Sequence, residues 1–401
     1  VKKLIFIVST FNNGGAQKIV SNIVMRLPEE YEALILLNDT ENVVYPYKGK
    51  LMSLGFPAQA DKLNLWYQLR VLLRRIRVLR KLKETGEYTA AISFLDSANI
   101  ANILSGTKKC RTILSVHNNL TEAATSWKYK YIVNPVIRPL YKRADRVIAV
   151  SKGIEYDLIH NLKLCPDNIE TIYNGHDIEQ IRRQGQEPLT AEEQQYFTGG
   201  PVIGTMGRLN YQKAQWHLIR ALTEVKKSFP DIRLIILGEG ELENYLKGLT
   251  KELGLQEQVI FTGFRNNPFR VLGRCDAMVL PSCYEGFPNA LIEALALGLP
   301  CISTDFHSGA REILDPGLPI EELEKTRIRK VKYGILTPVC DGTKYDAKTP
   351  LTKEERLLAD AIVLLLSDKA LQNEYRQKAP EAVSQLDSET MVHKWLKAIE
   401  K

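Results

Sequence analysis

Apolar residues follow two rhythms that alternate along this chain. Short apolar-rich runs at residues 3–9, 33–37, 90–94, 112–116, 146–150 and 169–173 read as buried strands. Between them apolar residues recur at helical spacing, as in Ile19, Val20, Ile23, Val24 and Leu27. Such alternation predicts a parallel sheet with helices on both faces. Residues 178–200 break the pattern: they are polar and rich in Glu and Gln. The alternation then restarts, with strands predicted at 202–206, 232–237, 259–261, 277–280 and 301–304. The expectation is an α/β protein with two tandem doubly wound, Rossmann-like domains, residues 1–177 and 201–380, joined by an interdomain segment at 178–200. Residues 353–401 are helical in pattern, and a last helix within 381–401 is expected to pack back on the first domain.

Residues 277–300 combine these rhythms most clearly. A buried run ends at Pro281, a loop spans 282–288, and apolar residues at helical spacing follow until Gly298 and Pro300. A strand, loop and helix in this order present the N–H groups of a helix start to an anion such as phosphate. Glu285 lies on the loop and Glu293 eight positions later on the helix. Ionised carboxylates only accept hydrogen bonds, so beside a phosphate they suit sugar hydroxyls, which donate. A sugar nucleotide carries both groups. Other junctions fit the same scheme. Gly14-Gly15 lies where the first strand gives way to a helix, and His117 directly follows the strand at 112–116, where doubly wound sheets bind ligands. The strand at 202–206 leads into Gly207-Arg208-Leu209, with Lys213 just before a helix. Gly238-Glu239-Gly240 lacks the third glycine of a dinucleotide fingerprint and carries little weight.

Composition narrows the class. A chain of 401 residues is long enough for two cores, and 44% hydrophobic with 25% charged residues is ordinary for a globular protein. Six scattered cysteines without a Cys-x-x-Cys indicate neither a disulfide framework nor a zinc site. The apolar run at 4–9 is too short for a signal peptide, and no run of about 18 apolar residues follows, so a cytoplasmic protein is expected. The net charge of +7 is uneven: residues 1–175 hold 25 Lys and Arg against 15 Asp and Glu. That surplus points to an anionic partner, either nucleic acid or a membrane surface. No helix-turn-helix, zinc-finger or RNA-binding signature supports the first. Residues 65–83 favour the second. Leu65, Leu69, Leu72, Ile76 and Leu79 form a helical stripe beside Arg70, Arg74, Arg77 and Lys81, with Trp66 and Tyr67 at its start as interfacial anchors. Arg75, Arg80 and Lys83 add to this basic cluster, which has no acidic residue between 70 and 83.

With Gly14-Gly15, His117, Arg208, Lys213 and the Glu285–Glu293 spacing in place, the chain resembles the retaining glycosyltransferases of family 4, which have the GT-B fold. The likeness spans nearly the whole length. It is most specific in EGFPNALIEALALGLP, supported by GRLNYQK before it and STDFHSGAREIL after it. The resemblance implies a donor nucleotide, with uridine as the base, seated against the second domain. Glu293 would hold the ribose, Arg208 and Lys213 the diphosphate, and Glu285 with the backbone of Gly286, Phe287, Pro288 and Asn289 the transferred sugar. The backbone near Phe264 and Arg265 would meet the base, while His117 and Gly15 would reach across an interdomain cleft. Gln17 stands where many relatives carry Glu. The segment 65–83, with ISFLDSANIANIL after it, looks like the corresponding part of bacterial transferases that extend polyprenyl-diphosphate-linked oligosaccharides. The activity so implied moves a hexose or N-acetylhexosamine from a nucleoside diphosphate to a lipid-linked or glycan acceptor, at the inner face of the membrane. No Asp-x-Asp occurs, so no metal or other cofactor is expected and the two cations would stabilise the leaving diphosphate. An epimerase or hydrolase of the same fold has no use for the basic first half, and a nucleic-acid-binding protein is the remaining alternative.

Overall fold

The computed structural model describes residues 1–401 except 13, 42, 59, 61, 62, 124–133, 322 and 324. Its contacts divide the chain into two units, Val1–His176 with Leu386–Lys401, and Asp177–Gln385.

The first unit is built on seven parallel strands: β1 (Lys2–Ile7), β2 (Tyr31–Leu37), β3 (Lys50–Ser53), β4 (Tyr88–Phe94), β5 (Arg111–Val116), β6 (Arg146–Ala149) and β7 (Ile169–Thr171), in the order β3-β2-β1-β4-β5-β6-β7. Helices α1 (Gly15–Met25), α2 (Leu65–Glu84), α3 (Asp96–Leu104), α4 (Leu120–Ala123), α5 (Asn134–Tyr141) and α6 (Lys152–His160) connect them. Alternate residues of β1 separate into two cores, as a two-layered cover requires: Leu4 and Phe6 pack with α1, while Ile5 and Ile7 pack with Leu79 of α2. Strand β3 escapes the hydrophobic pattern because it is an edge strand whose four residues all keep some exposure.

In the second unit, α7 (Ile178–Gln186) and α8 (Ala191–Gln194) precede a sheet ordered β10-β9-β8-β11-β12-β14-β13. Its strands are β8 (Val202–Met206), β9 (Arg233–Leu237), β10 (Val259–Gly263), β11 (Ala277–Leu280), β12 (Cys301–Thr304), β13 (Arg329–Val331) and β14 (Gly334–Thr337). All neighbours are parallel except β13 and β14, a short antiparallel edge ribbon that the sequence pattern did not announce. The helices are α9 (Gln215–Ser228), α10 (Glu243–Glu252), α11 (Phe269–Leu272), α12 (Asn289–Ala296), α13 (Ala310–Leu314), α14 (Lys353–Ser367) and α15 (Lys369–Val383). Residues 178–200, expected to stand between domains, are instead helical and packed on this unit. Ile181 joins Phe269 and Ala296 in a small core, and Gly185 is close enough to Leu297 that a Cβ would collide with it.

The chain then returns to the first unit. Helix α16 (Ser388–Glu400) buries Met391, Val392, Trp395, Ala398 and Ile399 in the core that holds Leu4 and Phe6. The returning segment starts at Leu386, five residues later than expected. Gly175 permits the approach, since a Cβ there would lie 2.6 Å from Met391 Cβ. Among the described residues no helix is long and apolar enough to cross a membrane.

Candidate active site

Doubly wound sheets bind ligands beyond the strand C-termini where the strand order reverses. In the second unit that point lies between β8 and β11. The loops after these two strands carry Arg208 with Lys213, and Glu285. Lys213 Nζ is 2.6 Å from Glu285 Oε1, with both side chains largely buried. Ser282 Oγ donates to the same oxygen at 2.8 Å, and Gln212 Nε2 donates to Oε2 at 3.0 Å. An ionised carboxylate has about four acceptor positions, so these three donors leave room for about one hydroxyl. Lys213 has two further N–H groups beyond the one directed at Glu285.

Local backbone makes this meeting possible. Gly207 takes φ 150, and a Cβ there would come within 2.8 Å of Lys213 Cε. Ala214, directly after Lys213, is held left-handed at φ 49 although it is not glycine, a cost of about 1–3 kcal/mol that the surrounding core imposes. Gly238 and Gly240 lie against the backbone of Gly207 and Leu209, where a Cβ has no room, and Leu209 N donates to Glu239 O at 3.0 Å. The glycine pair discounted in the sequence therefore shapes the Arg208 loop. Arg208 itself is exposed, and its carbonyl accepts from Gln215 Nε2.

The Glu285 loop is held from behind by STDFHSGAREIL. Ser308 Oγ donates to Glu285 O at 2.5 Å, and Gly309, at φ 90, passes so close to Phe287 and Pro288 that a Cβ would lie 2.5 Å from Pro288 Cδ. Arg311 and Asp305 form a buried ion pair at 2.6 Å beneath it. Gly286, Phe287 and Pro288 then lead into α12 at Asn289. Among the described residues no side chain caps this helix start, and the positive end of its dipole is directed at the loop. Glu293 is buried one turn further along, on a helix apolar almost all round. Cys283 lies on this loop, but burial, with Asp341 and Glu285 nearby, pushes its pKa up to about 12. It is a thiol at neutral pH, not a nucleophile.

Phe264 and Arg265 follow β10, two strands from β8. With Asn266, Asn267 and Arg270 they line a groove of about 430 Å³. Phe264 is half exposed, and Arg265 Nη2 donates to Tyr196 Oη at 3.2 Å. Fully buried Glu193 pairs with Arg270 at 3.0 Å and lies 3.6 Å from Arg265. Glu193 and Tyr196, taken in sequence for linker residues, thus brace the groove. Thr190 with Glu three positions on was the available signal, and it forms a capping box on α8.

The remaining candidates belong to the first unit. Gly15 opens α1 in the β1–α1 loop, and His117 follows β5. The His117 ring packs on Phe94 at 5.7 Å, its Nε2 is 2.9 Å from Ser115 Oγ, and burial pushes its pKa down to about 4, so the imidazole is neutral. Leu95, which follows β4 at the reversal point of this sheet, is a second non-glycine residue held left-handed, at φ 73. On α2 the side chains Trp66, Arg70, Arg74, Arg77 and Lys81 are exposed, as are Leu65, Leu69 and Leu73. Arg75 and Lys83 are not part of that cationic face. Arg75 is buried and donates to Asn38, Ser97 and Ser9, and Lys83 is buried and donates to Asn102 O and Thr112 Oγ1.

The chain as a whole is similar to known proteins. The model for Glycosyltransferase Family 4 matches residues 13–180, and that for Glycosyl transferases group 1 matches residues 188–320. An uncharacterized glycosyltransferase of Methanocaldococcus jannaschii is 32% identical over 352 residues, covering 85% of this chain and 86% of the relative. The N-acetylgalactosamine-N,N'-diacetylbacillosaminyl-diphospho-undecaprenol 4-alpha-N-acetylgalactosaminyltransferase of Campylobacter jejuni is 30% identical over 318 residues, 78% of this chain and 83% of the relative. The crystal structure of Anabaena HepE in complex with UDP matches at a TM-score of 0.72 and 19% identity, covering all of both chains. On these matches and on its two Rossmann-like sheets, the chain belongs to the glycosyltransferases of family 4 and group 1, with the GT-B fold.

Proposed function

We propose that this glycosyltransferase moves a hexose or N-acetylhexosamine from a UDP-sugar to a lipid-linked or glycan acceptor, with retention and without a metal, while attached peripherally to the inner face of the membrane. The carrying observation is the Lys213–Glu285 pair at the reversal point of the second sheet, in front of the α12 N-terminus. Breaking a sugar–diphosphate bond builds charge on the leaving phosphate, and fixed cations with a helix dipole stabilise it without rearrangement. Arg208 and Lys213 supply the cations. Glu285, with the backbone of Gly286–Asn289, receives the sugar, Glu293 the ribose, and the groove at Phe264 and Arg265 the base. His117 and Gly15 are the substrate-contacting residues of the first unit. Glu285 is engaged by three donors and Cys283 is protonated, so neither is a ready covalent nucleophile, and attack takes place on the face the phosphate leaves.

The acceptor class draws support from the Campylobacter jejuni relative, whose name specifies a diphospho-undecaprenol-linked sugar. The UDP complex of HepE supports the base. The test is a donor screen that reads release of nucleoside diphosphate with and without a lipid-linked acceptor, in excess chelator. Acceptor-dependent release from a UDP-sugar is expected. Absence of turnover with any donor would overturn the reading, and loss of turnover in chelator with rescue by magnesium or manganese would overturn its metal independence.

A further inference from the structure

We propose that Ser115 is a positioning residue for His117: its buried hydroxyl donates to Nε2 and holds the imidazole in the tautomer with its proton on Nδ1. The inference builds on the reading of His117 as a substrate-contacting residue. Ser115 and His117 are two apart at the end of β5, which sends both side chains to one face. Ser115 is fully buried, and among the described residues His117 Nε2, at 2.9 Å, is the sole partner of its hydroxyl. The direction of that bond follows from satisfying the hydroxyl. Were Nε2–H the donor, the proton of the fully buried Ser115 hydroxyl would have no acceptor among the described residues, which costs free energy. With Oγ–H donating, both groups are satisfied. The neutral imidazole then carries its own proton on Nδ1, which has no protein partner among the described residues.

The backbone that carries Ser115 is itself held in place. Asn99 Nδ2 donates to Ser115 O at 3.1 Å, and Asn99 Oδ1 accepts from Ser93 Oγ at 2.7 Å. Asn102 Nδ2 donates to Ser93 Oγ at 3.0 Å, and Lys83 Nζ donates to Asn102 O at 2.7 Å. The amide donors of Asn99 and Asn102 are both engaged in this buried network, which limits the geometries open to the end of β5. Phe94 packs against the ring at 5.7 Å between centroids. His117 therefore meets substrate as a hydrogen-bond donor through Nδ1–H, an oxygen on the substrate being the acceptor, and not as a base.

The test reads the tautomer directly. In protein labelled with ¹⁵N-histidine, two-bond nitrogen–proton spectra at pH 7 distinguish the two neutral forms, and the His117 signals are identified by their absence in H117Q. Wild type is expected to show the Nδ1–H form, and S115A a mixture. An Nε2–H form in wild type overturns the proposal whatever the activity. In turnover assays S115A should lower kcat about tenfold with donor KM unchanged, S115T should recover most of it, and S115A in an H117A background should cost nothing further. An equal loss in both backgrounds would make the hydroxyl merely structural and overturn the proposal. The spectra need no substrate, so they decide the tautomer even where the donor reading fails.

Discussion

Lys213 and Glu285 illustrate how a residue can be legible while its surroundings are not. Both are visible in the sequence because they fall in motifs, each beside a predicted strand. What the sequence treated as separate roles, cation for phosphate and carboxylate for sugar, is one ion pair at 2.6 Å. Removing Arg208 or Lys213 as alanine variants should lower kcat by about 100-fold or more, as loss of a leaving-group stabiliser does, and stopped-flow single turnover would locate the loss in the chemical step. Glu293→Ala should mainly weaken UDP binding, measured by calorimetry. Wild-type turnover in both cation variants would remove the diphosphate site from this loop. Gln212, Ser282 and Ser308, which set the Glu285 geometry, could not be read in advance. They are ordinary polar residues whose meaning arises only when three loops converge.

At the scale of the element, α2 divides its cations between two tasks that helical spacing alone does not separate. Arg70, Arg74, Arg77 and Lys81 remain on the surface near Leu65, Trp66 and Leu69, and cations beside an anionic leaflet contribute about 1 kcal/mol each. Their joint replacement by Gln should weaken binding to phosphatidylglycerol vesicles and raise KM for a lipid-linked acceptor, with UDP affinity unchanged. Equal vesicle binding and equal KM would leave α2 an ordinary solvated helix. Lys83 answers to burial instead, which pushes its pKa down to about 8 from 10.5, with Cys110 and Asp145 nearby. Between those values the unfolded chain binds the proton more tightly than the native one, so stability rises with pH across that window. Thermal melts from pH 7.5 to 10.5 should therefore show wild type gaining on Lys83→Met as the pH increases. A constant difference would contradict the buried, shifted amine. A cation at the right spacing looks like surface in a sequence, and only the acceptors Asn102 O and Thr112 Oγ1 reveal otherwise.

For the whole molecule, two tandem doubly wound units were legible because most buried parallel strands leave unbroken apolar runs, whereas edge strands β3 and β13 leave none, and buried β14 is only four residues, opening on Gly334 and closing on Thr337. The place of residues 178–200 was not, since their polarity hid Ile181, Gly185 and Glu193 at contact positions. The second unit is one continuous stretch, and the first is completed only by residues from beyond it. Ending the chain at Gln385 should strip protection from β1, β4 and β5 in hydrogen-exchange mass spectrometry while β8, β9 and β11 keep theirs. Unchanged exchange in the first group would show that α16 is dispensable. Trp395 of α16 packs on Phe94, at 5.7 Å between ring centroids, and Phe94 packs on His117. During synthesis on the ribosome, the ring behind His117 thus receives its backing only after every strand of both sheets has emerged. A nascent chain can therefore shape its second unit early, while the Phe94–His117 ring pair of the first lacks the Trp395 side chain behind it until α16 arrives.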